Sequence, residues 1–169
     1  MLEPMAHAYE PQGFTFLFVY TREAHPGENY GPHRSMEQKL AHARAFRERG
    51  HIARPILVDD PVGTGHKLYG SLPNMTYILG RGGRVLFRAD WTDPPTIEMF
   101  LTYLLRVRAR RRSGERLAGF YAEFVGYRDV DPAKFQQGLE VAGPQAIADF
   151  ARAMQRWASQ GSAPSRIDA

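Results

Sequence analysis

Two histidines and two carboxylates lie in one loop of this sequence. The segment "FVYTREAHPGENYGPHRSMEQ" opens as a strand, closes as a capped helix, and carries Glu23, His25, Glu28 and His33 between them. Imidazole titrates near neutral pH and a carboxylate can hold one of its tautomers, so His25 could polarise a substrate and exchange a proton while Glu23 orients it. The simpler alternatives are a loop histidine bonded to Glu23, and a solvent-facing Glu23 paired with Arg22.

The second histidine, His33, lies two residues before Ser35, which is placed to cap the following helix. At a helix N-terminus it could reach an anionic group, although simple surface exposure explains it equally well. Two imidazoles and a carboxylate can also hold iron or zinc. The loop between His25 and His33 matches no compact ligand spacing, however, so we expect no metal among these histidines, Glu23 and Glu28.

Composition limits the chemistry further. The 169 residues include no cysteine, which excludes disulfides, thiolate ligands and thiol mechanisms within this chain. The net charge of +4 owes much to the run "RVRARRRSGER", which predicts a solvated helix end rather than a nucleic-acid surface. The apolar run "FTFLFVY" is too short to span a bilayer and the amino end has no secretory pattern, so we expect a cytoplasmic location.

Helix and strand patterns alternate through the first two thirds of the chain. Residues 14–20 read as a strand covered on both faces, and Ser35 with Gln38 forms a capping box that opens a helix ending near Gly50. The remaining predicted elements are a helix over 1–11, a strand over 54–60 whose final aspartates serve as caps, a short helix capped by Thr64, a hairpin of 75–79 and 84–88, and a helix capped by Asp93.

Beyond residue 106 the strand patterns cease. Leu117, Phe120 and Phe124 predict one amphipathic helix, and Asp-Pro and Gly-Pro pairs at 131–132 and 143–144 start two more. We therefore divide the chain into an α/β domain over 1–106, an all-helical extension over 107–159 and a flexible tail over 160–169.

Four segments of the α/β domain carry a resemblance to a known family: "FLFVYTREAHPGENY", "PHRSMEQKLAHARAF", "PILVDD" and "YGSLPNMTYILGRGGRVLFRADW". Together they resemble the iodothyronine deiodinase family, especially its bacterial, deiodinase-like members. The resemblance covers roughly residues 1–105. It implies a thioredoxin-like fold, with Glu23, His25 and His33 as auxiliary site residues and no bound cofactor.

The same resemblance identifies what this chain lacks. The family nucleophile, a cysteine or selenocysteine, lies before the Glu-Ala-His motif at a point that here would precede Met1. The first core strand of the fold is then missing as well. Three explanations stay open: a gene or polypeptide start that is too late, a degenerate relative that fills the missing strand otherwise, or a partner chain that supplies the segment.

Two functions are therefore expected. The first is a deiodinase-like oxidoreductase domain acting on a small molecule, redox-inactive as given because its nucleophile is absent. The second is a non-catalytic thioredoxin-like module that assembles with a second copy or a partner protein, because an open sheet edge leaves backbone groups unpaired.

Overall fold

The computed structural model describes residues 2–159. Helices and strands alternate up to residue 112, and helices alone follow. The helices are α1 (Leu2–Tyr9), α2 (Met36–Arg49), α3 (Thr64–Leu68), α4 (Pro94–Arg112), α5 (Pro132–Ala142) and α6 (Pro144–Ser159). The strands are β1 (Phe18–Tyr20), β2 (Ile56–Val58), β3 (Thr76–Leu79) and β4 (Val85–Ala89). Helix α4 runs continuously through the 106–107 boundary proposed from the sequence, and the predicted tail over 160–169 lies outside the described residues.

The strands form two separate pairs within residues 2–159. Strand β1 pairs in parallel with β2, and β3 pairs antiparallel with β4 as the predicted hairpin. The hairpin turn places Gly82 and Gly83 at φ values of 79° and 80°, where a glycine avoids the steric penalty that a Cβ would bring. Mixed helix and strand with both pairing modes agrees with the α/β class at this coarse level.

Strand β1 is covered on one face only, so the prediction of two covered faces was wrong. Burial alternates along the segment: Tyr20 is 7% exposed, whereas Leu17 and Val19 are 52% and 49% exposed. Leu57 of β2, which lies opposite Val19 in the register, is 51% exposed. A run of apolar residues suggested burial all round, but side chains alternate across a strand and no described element packs over the second face.

The main core lies between α1 and α4. Met5 and Tyr9 of α1 pack with Ile97 and Leu101 of α4. The Tyr9 hydroxyl also shares a 3.0 Å hydrogen bond with the Thr102 hydroxyl. A second, smaller cluster joins α5 to α6 through Leu139, Ala142 and Ala146.

The helix predicted around Leu117, Phe120 and Phe124 is not formed. Residues 115–131 have no regular secondary structure, and Phe120 is 86% exposed. An amphipathic helix gains most of its stability by packing its apolar stripe, and no surface within residues 2–159 receives this one. Gly119 and Gly126 weaken it further. The C-terminal extension is therefore an irregular segment followed by two helices.

The turn after β2 is organised by two carboxylates, as predicted, but Thr64 is not the cap. Asp59 accepts hydrogen bonds from the amides of Asp60, Gly65 and His66 at 2.9–3.0 Å, and Asp60 accepts from the Thr64 amide at 3.0 Å. Thr64 is instead the first residue of α3.

Among the described residues, no helix combines the length and apolar character that a membrane crossing requires.

Candidate functional site

The loop between β1 and α2 carries all of the predicted site residues. It begins after Tyr20, at the carboxyl end of β1, and ends at the α2 N-cap. There the Gln38 amide donates to Ser35 Oγ at 3.1 Å, and the Arg34 amide donates to Gln38 Oε1 at 2.8 Å. The predicted cap therefore forms, with the returning bond made to the residue before the cap.

The Glu23 and His33 side chains lie close together at the carboxyl end of β1. His33 Nε2 lies 3.9 Å from Glu23 Oε1, and the His33 side chain is only 4% exposed. The Tyr20 hydroxyl donates a hydrogen bond to the same Glu23 oxygen. Burial and the Glu23 carboxylate raise the pKa of Tyr20, so this phenol remains a proton donor at physiological pH. Glu23 and His33 are therefore held in place by their surroundings and are not two independent surface groups.

A third polar residue joins this pair from α2. The ring centroid of His42 lies 5.2 Å from that of His33, and Tyr30 packs edge-on against its other side at 5.2 Å. Burial lowers the pKa of His33, and electrostatic interaction with the neighbouring His42 and Lys39 side chains lowers it further. The His33 imidazole is therefore neutral at neutral pH.

His25 is not part of this group, although the Glu-Ala-His motif places it two residues from Glu23. Its ring lies edge-on to Phe135 of α5 and Phe150 of α6, with centroid distances of 5.5 and 5.4 Å. Burial between these rings lowers the pKa of His25. The loop thus directs its two predicted histidines to opposite sides.

Glu28 likewise faces the C-terminal helices. Both of its carboxylate oxygens accept from the Gln145 amide in the first turn of α6, at 3.0 and 3.1 Å. The amide and side chain of Asn29 donate to the carbonyls of Ala142 and Val141 at 3.0 and 3.1 Å. Glu28 is therefore a helix cap, and the loop is fastened to the junction of α5 and α6.

A shallow pocket lies between the loop and α5. Glu23 and His25 line one side, and Lys134, Phe135 and Leu139 line the other, around a volume of about 290 Å³. Aromatic and aliphatic walls with one carboxylate, one imidazole and one ammonium would suit a small aromatic molecule carrying a polar group.

Sequence reasoning missed His42. It lies on the face of α2 that also presents Lys39 and Ala43, which are 1% and 5% exposed. This face packs toward the strands. A histidine on the buried face of a helix that begins just after His33 was the available signal. The prediction of α2 rested on its apolar residues alone and therefore gave His42 no role.

Comparison of the chain with protein-family models, with curated proteins and with solved structures found no match.

Proposed function

We propose that this chain is a deiodinase-like domain of thioredoxin-like fold, in which Glu23, His25 and His33 bind and orient a small aromatic substrate. The observation that carries the proposal is the convergence of Glu23 and His33 at the carboxyl end of β1, beside the pocket that His25 lines. Ligand-binding loops of α/β folds gather at that end of the strands. Since the sequence has no cysteine, a thiol or selenol nucleophile would have to come from outside these residues.

The division of roles follows from the surroundings of each side chain. Glu23 lines the pocket and is held by the Tyr20 hydroxyl, so its carboxylate can accept from a phenol or bind an amine of the substrate. His25 contributes an aromatic edge and a ring nitrogen beside Phe135 and Phe150. His33, which is buried next to Glu23, acts as a positioning residue for that carboxylate.

Within residues 2–159 the two strand pairs do not join, and this also supports the proposal. A thioredoxin-like sheet is continuous, and a further strand lying between β1 and β3 would connect the two pairs seen here. The resemblance implies a core strand that this sequence does not provide.

The proposal is tested by titrating the isotopically labelled chain with an iodothyronine and following its histidine resonances by NMR. We expect His25 and His33 to shift, and Glu23→Gln to weaken binding about tenfold, the effect of losing one charge-assisted hydrogen bond. Glu115→Gln is the matched control, because Glu115 pairs with Arg110 at the surface. Equal affinity in the two variants, or an absence of shifts at both histidines, contradicts the proposal.

A second candidate function is assembly, and the exposed face of the first strand pair favours it. Leu17, Val19 and Leu57 form an apolar patch there, each about half exposed, and patches of this kind mark interaction surfaces. The occupant we favour is a second copy of the chain, because two identical apolar sheet faces can stack face to face across a two-fold axis.

Light scattering on a size-exclusion column tests this candidate. We expect a dimer for the unmodified chain and a monomer for Val19→Glu. Val62→Glu, at a valine that is 68% exposed in the turn after β2, is the control and should remain dimeric. A folded monomer for the unmodified chain contradicts an assembly with itself.

A further inference from the structure

Three side chains, two from the loop between β1 and α2 and one from α2, present ligand atoms to one point. Glu23 follows β1, His33 precedes the N-cap of α2, and His42 lies within α2. One atom from each, a carboxylate oxygen or an imidazole nitrogen, lies within 4.8 Å of the other two. We propose that Glu23, His33 and His42 together bind one divalent transition-metal ion. This inference does not depend on the proposed function.

The imidazole nitrogens at this point are buried without a partner. Within residues 2–159, His33 Nε2 and His42 Nδ1 are shielded from solvent and make no hydrogen bond. An unsatisfied buried polar atom costs about 1–3 kcal/mol, so two of them side by side require a reason. A metal ion bonded to both nitrogens removes that cost, because both then act as ligands.

The chemistry of the ligand set selects the class of ion. Two imidazoles and one carboxylate form the facial arrangement that binds Zn²⁺ or Fe²⁺, whereas Mg²⁺ and Ca²⁺ prefer oxygen ligands throughout. Tetrahedral ligands at about 2.1 Å from a zinc ion lie about 3.4 Å apart. The 3.9 Å between His33 Nε2 and Glu23 Oε1 is close to that separation, and small side-chain rotations would complete it. Three protein ligands leave at least one coordination position for water or another ligand.

The surroundings support these ligands as an outer shell does at metal sites. The Tyr20 hydroxyl donates to Glu23 and fixes its carboxylate, and Tyr30 packs against the His42 ring and fixes its plane. The hydrogen bond from Tyr20 is a second-shell contact of the kind that orients metal ligands, and the Tyr30 ring adds packing beside it.

This ligand set differs from the one weighed from the sequence, which combined His25 and His33 with Glu23 and Glu28. His25 and Glu28 belong to the interface with α5 and α6 and lie outside it. The packing of α2 against the loop, and not the residue spacing along the loop, brings the second imidazole, that of His42, to this point. Because His33 and His42 form no recognised short motif, the sequence carries no metal signature here.

Calorimetric titration of the untagged, metal-free chain with Zn²⁺ tests the proposal. We expect one ion per chain, and at least about tenfold weaker binding by His33→Ala and His42→Ala, since each removes one of three ligands. His7→Ala, at an exposed histidine of α1, is the matched control and should bind as the unmodified chain does. Binding of Zn²⁺ by His42→Ala with unchanged affinity overturns the assignment, as does loss of binding in His25→Ala.

Two further measurements keep the result decisive if a variant fails to fold. Co²⁺ titrated into the unmodified chain should give a visible absorption band of a nitrogen- and oxygen-ligated ion at one equivalent, and Zn²⁺ should displace it. His42→Gln, which retains most of the side-chain volume, should fold by circular dichroism and lack the band. An unmodified chain that binds neither ion at one equivalent refutes the proposal without reference to any variant.

Discussion

Gly27 is the position at which one added methyl group should release the loop from the C-terminal helices. A Cβ placed there would lie 2.6 Å from the carbonyl carbon of Ala142 and still closer to its oxygen. Backbone atoms at the end of α5 have no room to move aside as a flexible side chain would. In Gly27→Ala the loop must therefore separate from α5.

The free energy of this separation follows from the bonds that it breaks. Asn29 donates to the carbonyls of Ala142 and Val141, and Glu28 accepts from the Gln145 amide. These bonds are accessible to solvent, so we assign about 0.7 kcal/mol to each, near the lower end of the usual range, or about 2 kcal/mol in all. The overlap itself would cost about 1–3 kcal/mol if the loop stayed in place. Both routes give a loss of about 2 kcal/mol.

Native-state hydrogen exchange measures this loss where it occurs. The amides of Asn29 and Gln145 should exchange about 30-fold faster in Gly27→Ala, since 1.4 kcal/mol corresponds to a factor of ten. Gly31→Ala is the control in the same loop, because a Cβ there meets nothing closer than 3.8 Å. It should leave both amides unchanged or slightly better protected. Unchanged protection at Asn29 in Gly27→Ala would show that the loop is not held against α5.

Three further predictions concern stability. Burial raises the pKa of Asp59, but hydrogen bonds from three backbone amides and a nearby lysine outweigh it, so the net pKa is lowered from 3.8. The contribution of Asp59 to stability is therefore present above about pH 4 and lost as pH falls through the lowered pKa. The free energy of urea unfolding of Asp59→Asn should accordingly depend less on pH between 2 and 5 than that of the unmodified chain, and an equal pH dependence would contradict this. Asp131→Ala removes the 2.9 Å hydrogen bond that caps the Lys134 amide. It should lower the free energy of unfolding, followed by circular dichroism, by about 1 kcal/mol. A change below about 0.3 kcal/mol would show that the cap does not stabilise α5. Tyr9→Phe should lower the free energy of unfolding by about 1 kcal/mol because the Thr102 hydroxyl loses its partner, and Thr102→Val combined with it should add little; two additive losses would exclude the shared bond.

Local chemistry in the sequence predicted the elements, and contacts across the fold decided the rest. The caps at Ser35, Asp93 and Asp131 form where expected because each depends on a hydroxyl or carboxylate and an amide three residues on. The hairpin at Gly82 follows equally from glycine in a turn. The helix expected at Phe120 failed because its stability depends on a packing surface elsewhere in the chain.

The candidate site divides in the same way. The sequence indicated the loop and its residue types, but it associated Glu23 with His25, whereas the Glu23 carboxylate lies beside His33. The separation of His25 from His33 depends on α5 and α6, whose residues lie more than a hundred positions further on, and no periodicity encodes that contact. His42 joins the cluster only because α2 packs beside the carboxyl end of β1.

The long-range bonds of the loop also set when it can take its final form. The bonds from Asn29 to Val141 and from Gln145 to Glu28 close chain separations of 112 and 117 residues. Closing so long a chain segment is entropically costly and slow compared with forming the helices and the hairpin. At about 5–20 residues per second during synthesis, roughly 6–23 s pass between the synthesis of residues 27–29 and that of their partners. Until then the His25 ring and the Glu28 carboxylate remain in water, and the pocket beside α5 is among the last parts of the molecule to be assembled.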